Sequence, residues 1–210
     1  GNSGTNPGGG NGGNSGTNPG GGNGDNSGTN PGGGNGDNSG TNPGGNVADP
    51  MATGVAELLD VADHKAYLFG YENGNFNPER AMTRAEVSQM FYNLLNEKNV
   101  TVTTRFADVA EDAWYARAVH TLAALGIVEG VGNGKFEPER KVTRAEFAAL
   151  AVRFAKANPN GSASFTDVAA DAWYHEAVQT ATNYGWIAGY ADGTFRPQET
   201  ITRAEVTSLT

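Results

Sequence analysis

The residues best suited to chemistry in this sequence are three arginines at the starts of predicted helices. Arg84, Arg144 and Arg203 each lie in the sequence Thr-Arg-Ala-Glu, at intervals of 60 and 59 residues. A Thr-x-x-Glu pattern predicts a capping box, in which the two side chains satisfy N–H groups of the first helical turn. A cation in that turn faces the partial positive charge of the helix start, at a cost of roughly 0.3–1 kcal/mol. The repeated arginine therefore predicts a role that offsets this cost.

One such role is the binding of an anion. A helix start offers unpaired N–H donors, and a guanidinium beside it supplies a planar fork suited to a carboxylate. The alternative is that each arginine pairs with a neighbouring acid or with the C-terminal carbonyls of a helix in another repeat. The residues assigned to helix capping are Thr83, Glu86, Thr143, Glu146, Thr202 and Glu205.

The arginines belong to a sequence repeat of about sixty residues, which predicts two helices joined by a turn-rich connector. The connectors are GYENGNFNP at 70–78, GVGNGKFEP at 130–138 and GYADGTFRP at 189–197. The first helix is predicted to start near Asp112 or Asp171 as N-cap. It is predicted to bury an apolar stripe of Trp114, Ala118, Val119, Leu122 and Leu125, or of Trp173, Ala177, Val178 and Ala181. Gly126 and Gly185 are predicted to end this helix with positive φ.

Other positions that recur in the repeats of this sequence allow two interpretations each. Trp114 and Trp173 offer an aromatic face to a sugar ring, or belong to the core. Asp108 and Asp167 are acceptors within turns, or contact sugar hydroxyls. Three connector glycines serve tight turns, or let a ligand approach the backbone closely; these are Gly70, Gly130 and Gly189.

Composition and motifs exclude several classes of function. The chain has 14 Lys and Arg against 23 Asp and Glu, a net charge of -9, which argues against a general nucleic-acid binder. It has no cysteine, and therefore neither disulfides nor thiolate metal sites. The connectors lack the acidic ladder of a calcium loop. No catalytic motif is present, so we predict no catalytic residue, no metal and no cofactor. The sequence also predicts no insertion into a membrane.

Residues 1–46 contrast with the rest of the chain, because they contain no aliphatic or aromatic side chain. Asn-Pro recurs in them every 12 residues, at 6–7, 18–19, 30–31 and 42–43. Such a segment cannot bury enough apolar surface to offset the entropy lost on ordering. We predict a disordered Gly/Asn-rich linker.

The repeats resemble the S-layer homology family of bacterial surface proteins. The resemblance is carried by the three TRAE boxes, by GYADGTFRP, and by the F-x-D-V and D-x-W-Y motifs at 106–115 and 165–174. It implies an all-α fold in which three tandem helix-loop-helix repeats form a pseudo-threefold helical bundle. The predicted boundaries are residues 47–105, with a partial first half, residues 106–164, and residues 165–210, truncated at the C-terminal end. We expect the full-length protein to continue beyond Thr210.

The resemblance also implies a function and a site. It implies extracellular, non-covalent anchoring to secondary cell-wall polysaccharide, often one that carries pyruvate ketals, through grooves lined by the box arginines and nearby connector residues. Tyr71 and Tyr190 are then candidate stacking residues, whereas Val131 at the equivalent position predicts a weakened groove. The alternatives are a protein–protein module of a surface lattice, with other surface-layer proteins as partners, or the anchoring part of a wall-modifying enzyme.

Overall fold

The computed structural model describes residues 53–61, 66–158 and 164–207. The predicted linker, residues 1–46, lies outside the described residues. Within the described part the regular elements are helical, and β pairing is limited to isolated bridges. No described helix has the length and apolar character needed to cross a membrane. The helices are α1 Arg84–Leu94, α2 Ala116–Ala124, α3 Arg144–Ala151, α4 His175–Asn183, α5 Arg203–Thr207, and the 3-10 helices η1 Val55–Glu57 and η2 Val152–Phe154.

The first helix of the second and third repeats starts later than the sequence predicts. Tyr115 and Tyr174 are the N-caps of α2 and α4, and neither makes a side-chain capping bond. The prediction of Asp112 and Asp171 as N-caps is therefore wrong. The four preceding residues form successive turns instead, in which the Ala113 amide donates to the Ala110 carbonyl at 3.1 Å.

The glycine ends of these helices are confirmed. Gly126 and Gly185 both have φ of 72°. The Gly126 amide donates to the Ala123 carbonyl at 3.1 Å, and the Ile127 amide to the Leu122 carbonyl at 2.8 Å. This is the Schellman pattern, which requires a left-handed residue that glycine adopts without strain.

The predicted apolar stripes are largely, but not entirely, buried. Ala118, Val119 and Leu122 are fully buried, and so are Val178 and Ala181. The stripes meet a core in which Phe91 of α1 stacks on Phe154 with ring centroids 4.7 Å apart. α1 packs against α2, and α3 packs against α4. The burial predicted for Trp114 and Trp173 is wrong, because their exposed fractions are 62% and 67%.

Three main-chain hydrogen bonds join the repeats in a closed ring. The Met82 amide donates to Ile201, the Ile201 amide to Val142, and the Val142 amide to Met82, each at 3.0 Å. All three side chains are completely buried. Since each of these residues lies two positions before a box arginine, the ring brings the starts of α1, α3 and α5 together.

Candidate functional site

The arginines of the three TRAE boxes, here called the box arginines, each begin the second helix of a repeat. Each one binds the connector of the next repeat or the residue directly before it. Arg84 Nε donates to the Phe136 carbonyl at 2.8 Å, and its Nη2 donates to the Glu129 carbonyl at 2.7 Å. Arg144 makes the equivalent bonds to Phe195 and Ala188, both at 2.8 Å. Arg203 closes the cycle on the first connector, with bonds to the Phe76 carbonyl at 2.9 Å and the Phe69 carbonyl at 2.5 Å. The three arginines therefore hold neighbouring repeats together.

The N–H groups at the helix starts are also occupied. The Arg84 amide donates to the Arg140 carbonyl at 2.9 Å, and the Ala85 amide to the Pro138 carbonyl at 2.9 Å. The other two helix starts make the equivalent bonds, Arg144 to Glu199, Ala145 to Pro197, Arg203 to Arg80 and Ala204 to Pro78. The prediction that unpaired amides at these helix starts receive an anion is wrong. Each arginine side chain instead donates from Nε and Nη2 to two main-chain carbonyls of the next repeat, which lie in or directly before its connector.

The capping assignments are confirmed. Thr83 with Glu86 and Thr143 with Glu146 form complete capping boxes. In the third box the Glu205 amide donates to Thr202 Oγ1 at 3.2 Å, and the Thr202 amide to Glu205 Oε2 at 2.8 Å. The cap glutamates have further partners that differ between repeats, and these partners decide the charge of each groove.

Asp108 and Asp167 position the connectors. The two carboxylate oxygens of Asp108 accept from the Phe136 and Glu137 amides, both at 2.8 Å. Those of Asp167 accept from the Phe195 and Arg196 amides at 2.8 and 2.7 Å. Both carboxylates thus serve as turn acceptors, the first of the two interpretations.

A side chain on the first connector glycine would collide with the fold in the second and third repeats and would be tightly packed in the first. A Cβ on Gly130 would lie 2.7 Å from the Lys135 carbonyl oxygen and 2.8 Å from the Phe106 ring. On Gly189 it would lie 2.2 Å from the Phe165 ring, and on Gly70 it would lie 3.3 Å from the Asn75 carbonyl oxygen. The atoms that approach these glycines closely belong to the protein itself, which agrees with a structural role in the turns.

An open cleft of about 250 Å³ lies beside Arg84, between the connector of the second repeat and Trp173 of the third. We call it the Arg84 cleft. Its lining includes Arg84, Arg140, Arg153, Glu129, Glu146, Gly130, Val131, Leu150 and Trp173. The lining thus contains three guanidinium groups and two carboxylates, together with the exposed indole of Trp173.

The charges in the Arg84 cleft are unequally paired. Arg140 donates to both carboxylate oxygens of Glu146, at 2.8 and 3.2 Å. Burial opposes ionisation of Glu146, but the bonds from Arg140 and the Thr143 amide outweigh it and lower the pKa of Glu146. Burial lowers the pKa of Arg84, followed in importance by the nearby charge of Arg140. Among the described residues the side-chain hydrogen bonds of Arg84 are made by Nε and Nη2.

The groove beside Arg144 has the opposite arrangement. The second repeat has Arg140 at a position where the third has Glu199. Glu205 consequently pairs with Arg144 itself, and the hydroxyl of Tyr190 donates to the same Glu205 oxygen at 2.9 Å. The Arg144 guanidinium is 3% exposed and lies 4.8 Å from the centroid of the Tyr190 ring. Its charge is neutralised within the protein.

In the groove beside Arg203 the cap glutamate pairs with another arginine and not with the box arginine, but a tyrosine is present as in the Arg144 groove. Glu86 pairs with Arg80, and Tyr71 donates to Glu86 at 3.2 Å. The Arg203 guanidinium lies 4.9 Å from the Tyr71 ring centroid and 4.5 Å from that of Phe76. Trp114 occupies the repeat position of Trp173 and is likewise exposed. The predicted tyrosines thus lie next to box arginines, but their hydroxyl groups are bonded to the cap glutamates.

Two residues of the Arg84 cleft, Arg140 and Arg153, were not among the sequence candidates. Arg140 has a counterpart in Arg80, so its recurrence at an interval of 60 was a usable signal. Arg153 has Asn93 at the equivalent position, and repetition could not reveal it. Both side chains donate to equivalent carbonyls, Arg153 Nη1 to Ile127 at 2.7 Å and Asn93 Nδ2 to Tyr67 at 3.2 Å.

Comparison with known proteins gives concordant matches. The S-layer homology domain model matches residues 60–88, 105–148 and 164–207. Cell surface glycoprotein 1 of Acetivibrio thermocellus is 34% identical over 161 residues, which are 70% of this chain and 7% of the relative. The cellulosome-anchoring protein of the same organism is 33% identical over 159 residues, 70% of this chain and 35% of the relative.

Further relatives include an S-layer protein and an enzyme. The S-layer protein of Bacillus thuringiensis subsp. finitimus is 29% identical over 178 residues, 76% of this chain and 21% of the relative. An amylopullulanase of Thermoanaerobacterium thermosulfurigenes is 28% identical over 160 residues, only 8% of its own length. The chain thus spans a minor part of each of these relatives. By its three matched segments, this chain belongs to the S-layer homology domain family of bacterial cell-surface proteins.

Proposed function

We propose that the chain is a non-catalytic anchoring module and that the Arg84 cleft binds an acidic saccharide of the cell wall. The observation that carries the proposal is the juxtaposition, in one open cleft, of Arg84, Arg153 and the exposed Trp173. A guanidinium pairs with a carboxylate, and an indole covers the apolar face of a sugar ring. A secondary cell-wall polysaccharide with pyruvate ketals carries both a carboxylate and sugar rings with an apolar face.

The overall arrangement supports this function. The cyclic bonds between the repeats favour a pseudo-threefold helical bundle, in which three related grooves alternate with three box arginines. Weak contacts at more than one groove would add through effective concentration along a repeating polymer. The groove beside Arg144 is expected to contribute least, because Glu205 already neutralises its arginine. Residues 1–46 would act as a spacer, a role that depends on composition alone.

A pull-down with purified wall polysaccharide, before and after chemical removal of its ketal pyruvate, tests this proposal. Wild type is expected to bind only the untreated polymer. Arg153→Ala should weaken binding about tenfold or more, since a charge-assisted hydrogen bond contributes about 1.5–3 kcal/mol. Trp173→Ala should weaken it up to about tenfold, since an aromatic contact contributes about 0.5–1.5 kcal/mol. Because Arg153 also donates to the Ile127 carbonyl at 2.7 Å, circular dichroism of each variant checks that the fold is retained.

Arg117→Ala is the matched charge control, because Arg117 is an exposed arginine of α2 outside the cleft. Trp114→Ala is the matched aromatic control, because Trp114 is 62% exposed and lies outside the cleft lining. Equal binding of wild type to treated and untreated polysaccharide would contradict recognition of the ketal. Equal binding by Arg153→Ala and Arg117→Ala would remove the Arg84 cleft from the proposal.

A second candidate function is protein packing in a surface lattice. It is favoured by the similarity to an S-layer protein and by exposed aromatic side chains such as Phe69, which is 62% exposed. Cell-wall sacculi stripped of their polysaccharide distinguish the two functions. An anchoring module should no longer bind the stripped sacculi. A lattice module would still assemble with its own copies when no sacculi are present.

A further inference from the structure

The connector of the second repeat differs from the other two in a residue that lines the Arg84 cleft. Tyr71 and Tyr190 extend from their connectors to the cap glutamates, with hydroxyl-to-carboxylate distances of 3.2 and 2.9 Å. Val131 takes their place in the second repeat and cannot make this contact. It is 44% exposed and lies in the cleft wall.

The absence of a phenol ring changes the space between the connector and the cap glutamate. In the first and third repeats the ring spans this space and lies beside a box arginine, 4.9 Å from Arg203 in one and 4.8 Å from Arg144 in the other. In the second repeat the side chains and amides that bind Glu146, among the described residues, are those of Arg140 and Thr143, with no phenol hydroxyl, and Val131 and Glu146 both line the cleft of about 250 Å³. The small side chain of Val131 therefore leaves more room in the groove that Arg84 also lines.

The lining of the cleft combines apolar side chains, Val128, Val131 and Leu150, with the guanidinium groups of Arg84 and Arg153. Arg153, which pairs with the exposed Glu129 at 3.5 Å, supplies a guanidinium that the first repeat lacks, because Asn93 occupies the equivalent position. A group that fits this surface carries a carboxylate directly attached to an alkyl carbon.

From this geometry we infer that Val131 determines the specificity of the Arg84 cleft, and that the cleft accepts a carboxylate-bearing sugar substituent with a larger alkyl group than the two tyrosine grooves accept. The inference depends on the proposed function, since it concerns the same site. It reverses the expectation that valine weakens the groove.

Two synthetic probes test the size of the group that is accepted. One is the pyruvate ketal of a methyl N-acetylhexosaminide, and the other is the corresponding 2-oxobutanoate ketal, in which an ethyl group replaces the ketal methyl. Wild type should bind both with dissociation constants within about threefold, measured by titration calorimetry. Val131→Tyr should discriminate against the ethyl ketal by about tenfold relative to the methyl ketal, the lower end of the effect of one methylene in a filled pocket.

Val61→Tyr is the matched control, because Val61 is 42% exposed and lies outside the cleft lining. Val131→Leu should give an intermediate discrimination, and it provides the measurement if the tyrosine variant does not fold. An unchanged ratio of the two dissociation constants in both Val131 variants would overturn the inference and leave the proposed function standing. Failure of wild type to bind either ketal, with the untreated polysaccharide also unbound, would refute the proposed function and this inference together.

Discussion

Replacement of Arg203 by alanine should open the cycle of contacts between repeats. Arg203 lies in α5, and its guanidinium donates to the carbonyls of Phe76 and Phe69, which are 127 and 134 positions earlier in the chain. The guanidinium also lies over the Phe76 ring at 4.5 Å. The side chain is only 3% exposed, so water does not replace these contacts in the folded protein.

The expected cost follows from these two bonds. A hydrogen bond from a charged donor contributes about 1.5–3 kcal/mol, and Arg203→Ala removes two such bonds, both partly buried. We expect Arg203→Ala to lower the free energy of unfolding by about 3–5 kcal/mol, a large share of the 5–15 kcal/mol typical of a folded domain. Arg203→Lys should fall between wild type and alanine, because one ammonium cannot reproduce the fork that bridges both carbonyls.

Urea denaturation followed by circular dichroism measures this effect. Arg117→Ala removes an exposed arginine and should stay within about 0.5 kcal/mol of wild type. If Arg203→Ala unfolds at the same urea concentration as Arg117→Ala and with the same slope, then Arg203 does not hold the first and third repeats together. The account of the box arginines given above would then be wrong.

Three other predictions concern the same framework. Thr143→Val should lower the free energy of unfolding by about 1 kcal/mol through loss of the helix cap, as measured in urea, and an unchanged value would contradict the capping role. Gly189→Ala should cost about 1–3 kcal/mol, since the new Cβ would lie 2.2 Å from the Phe165 ring, and a stable variant would show that the connector shifts freely. The pKa of Glu146 is lowered from 4.5 in the folded state, so its contribution to stability is present above about pH 4.5 and is lost as pH falls through the folded pKa. Unfolding free energies at pH 7, 5, 4 and 3 should therefore decrease less steeply for Glu146→Gln than for wild type, and parallel curves would refute the assignment.

The features that the sequence predicted correctly are those whose partners are close along the chain. The Thr143 and Glu146 box spans four residues, and the Gly126 turn depends on carbonyls within five residues. Patterns of residue type and spacing contain this information. Predictions of local structure therefore needed no knowledge of how the repeats meet.

The features that were missed depend on distant partners. The carbonyls bound by Arg84 are 45 and 52 residues away, so the sequence alone could not choose between an anion and the main chain as its partner. Trp173 follows the helical spacing of a core residue, yet it lies on a turn before α4 and faces solvent. At Val131 the sequence shows the loss of the ring that Tyr71 and Tyr190 carry, but it does not show the cleft that Val131 lines.

The ring through Met82, Val142 and Ile201 also limits how such a module can change its number of units. In a linear array a unit can be gained or lost at an end, because each unit contacts only its immediate neighbours. Here the third unit already returns to the first, so a fourth unit could enter the ring only by breaking one of its three main-chain hydrogen bonds.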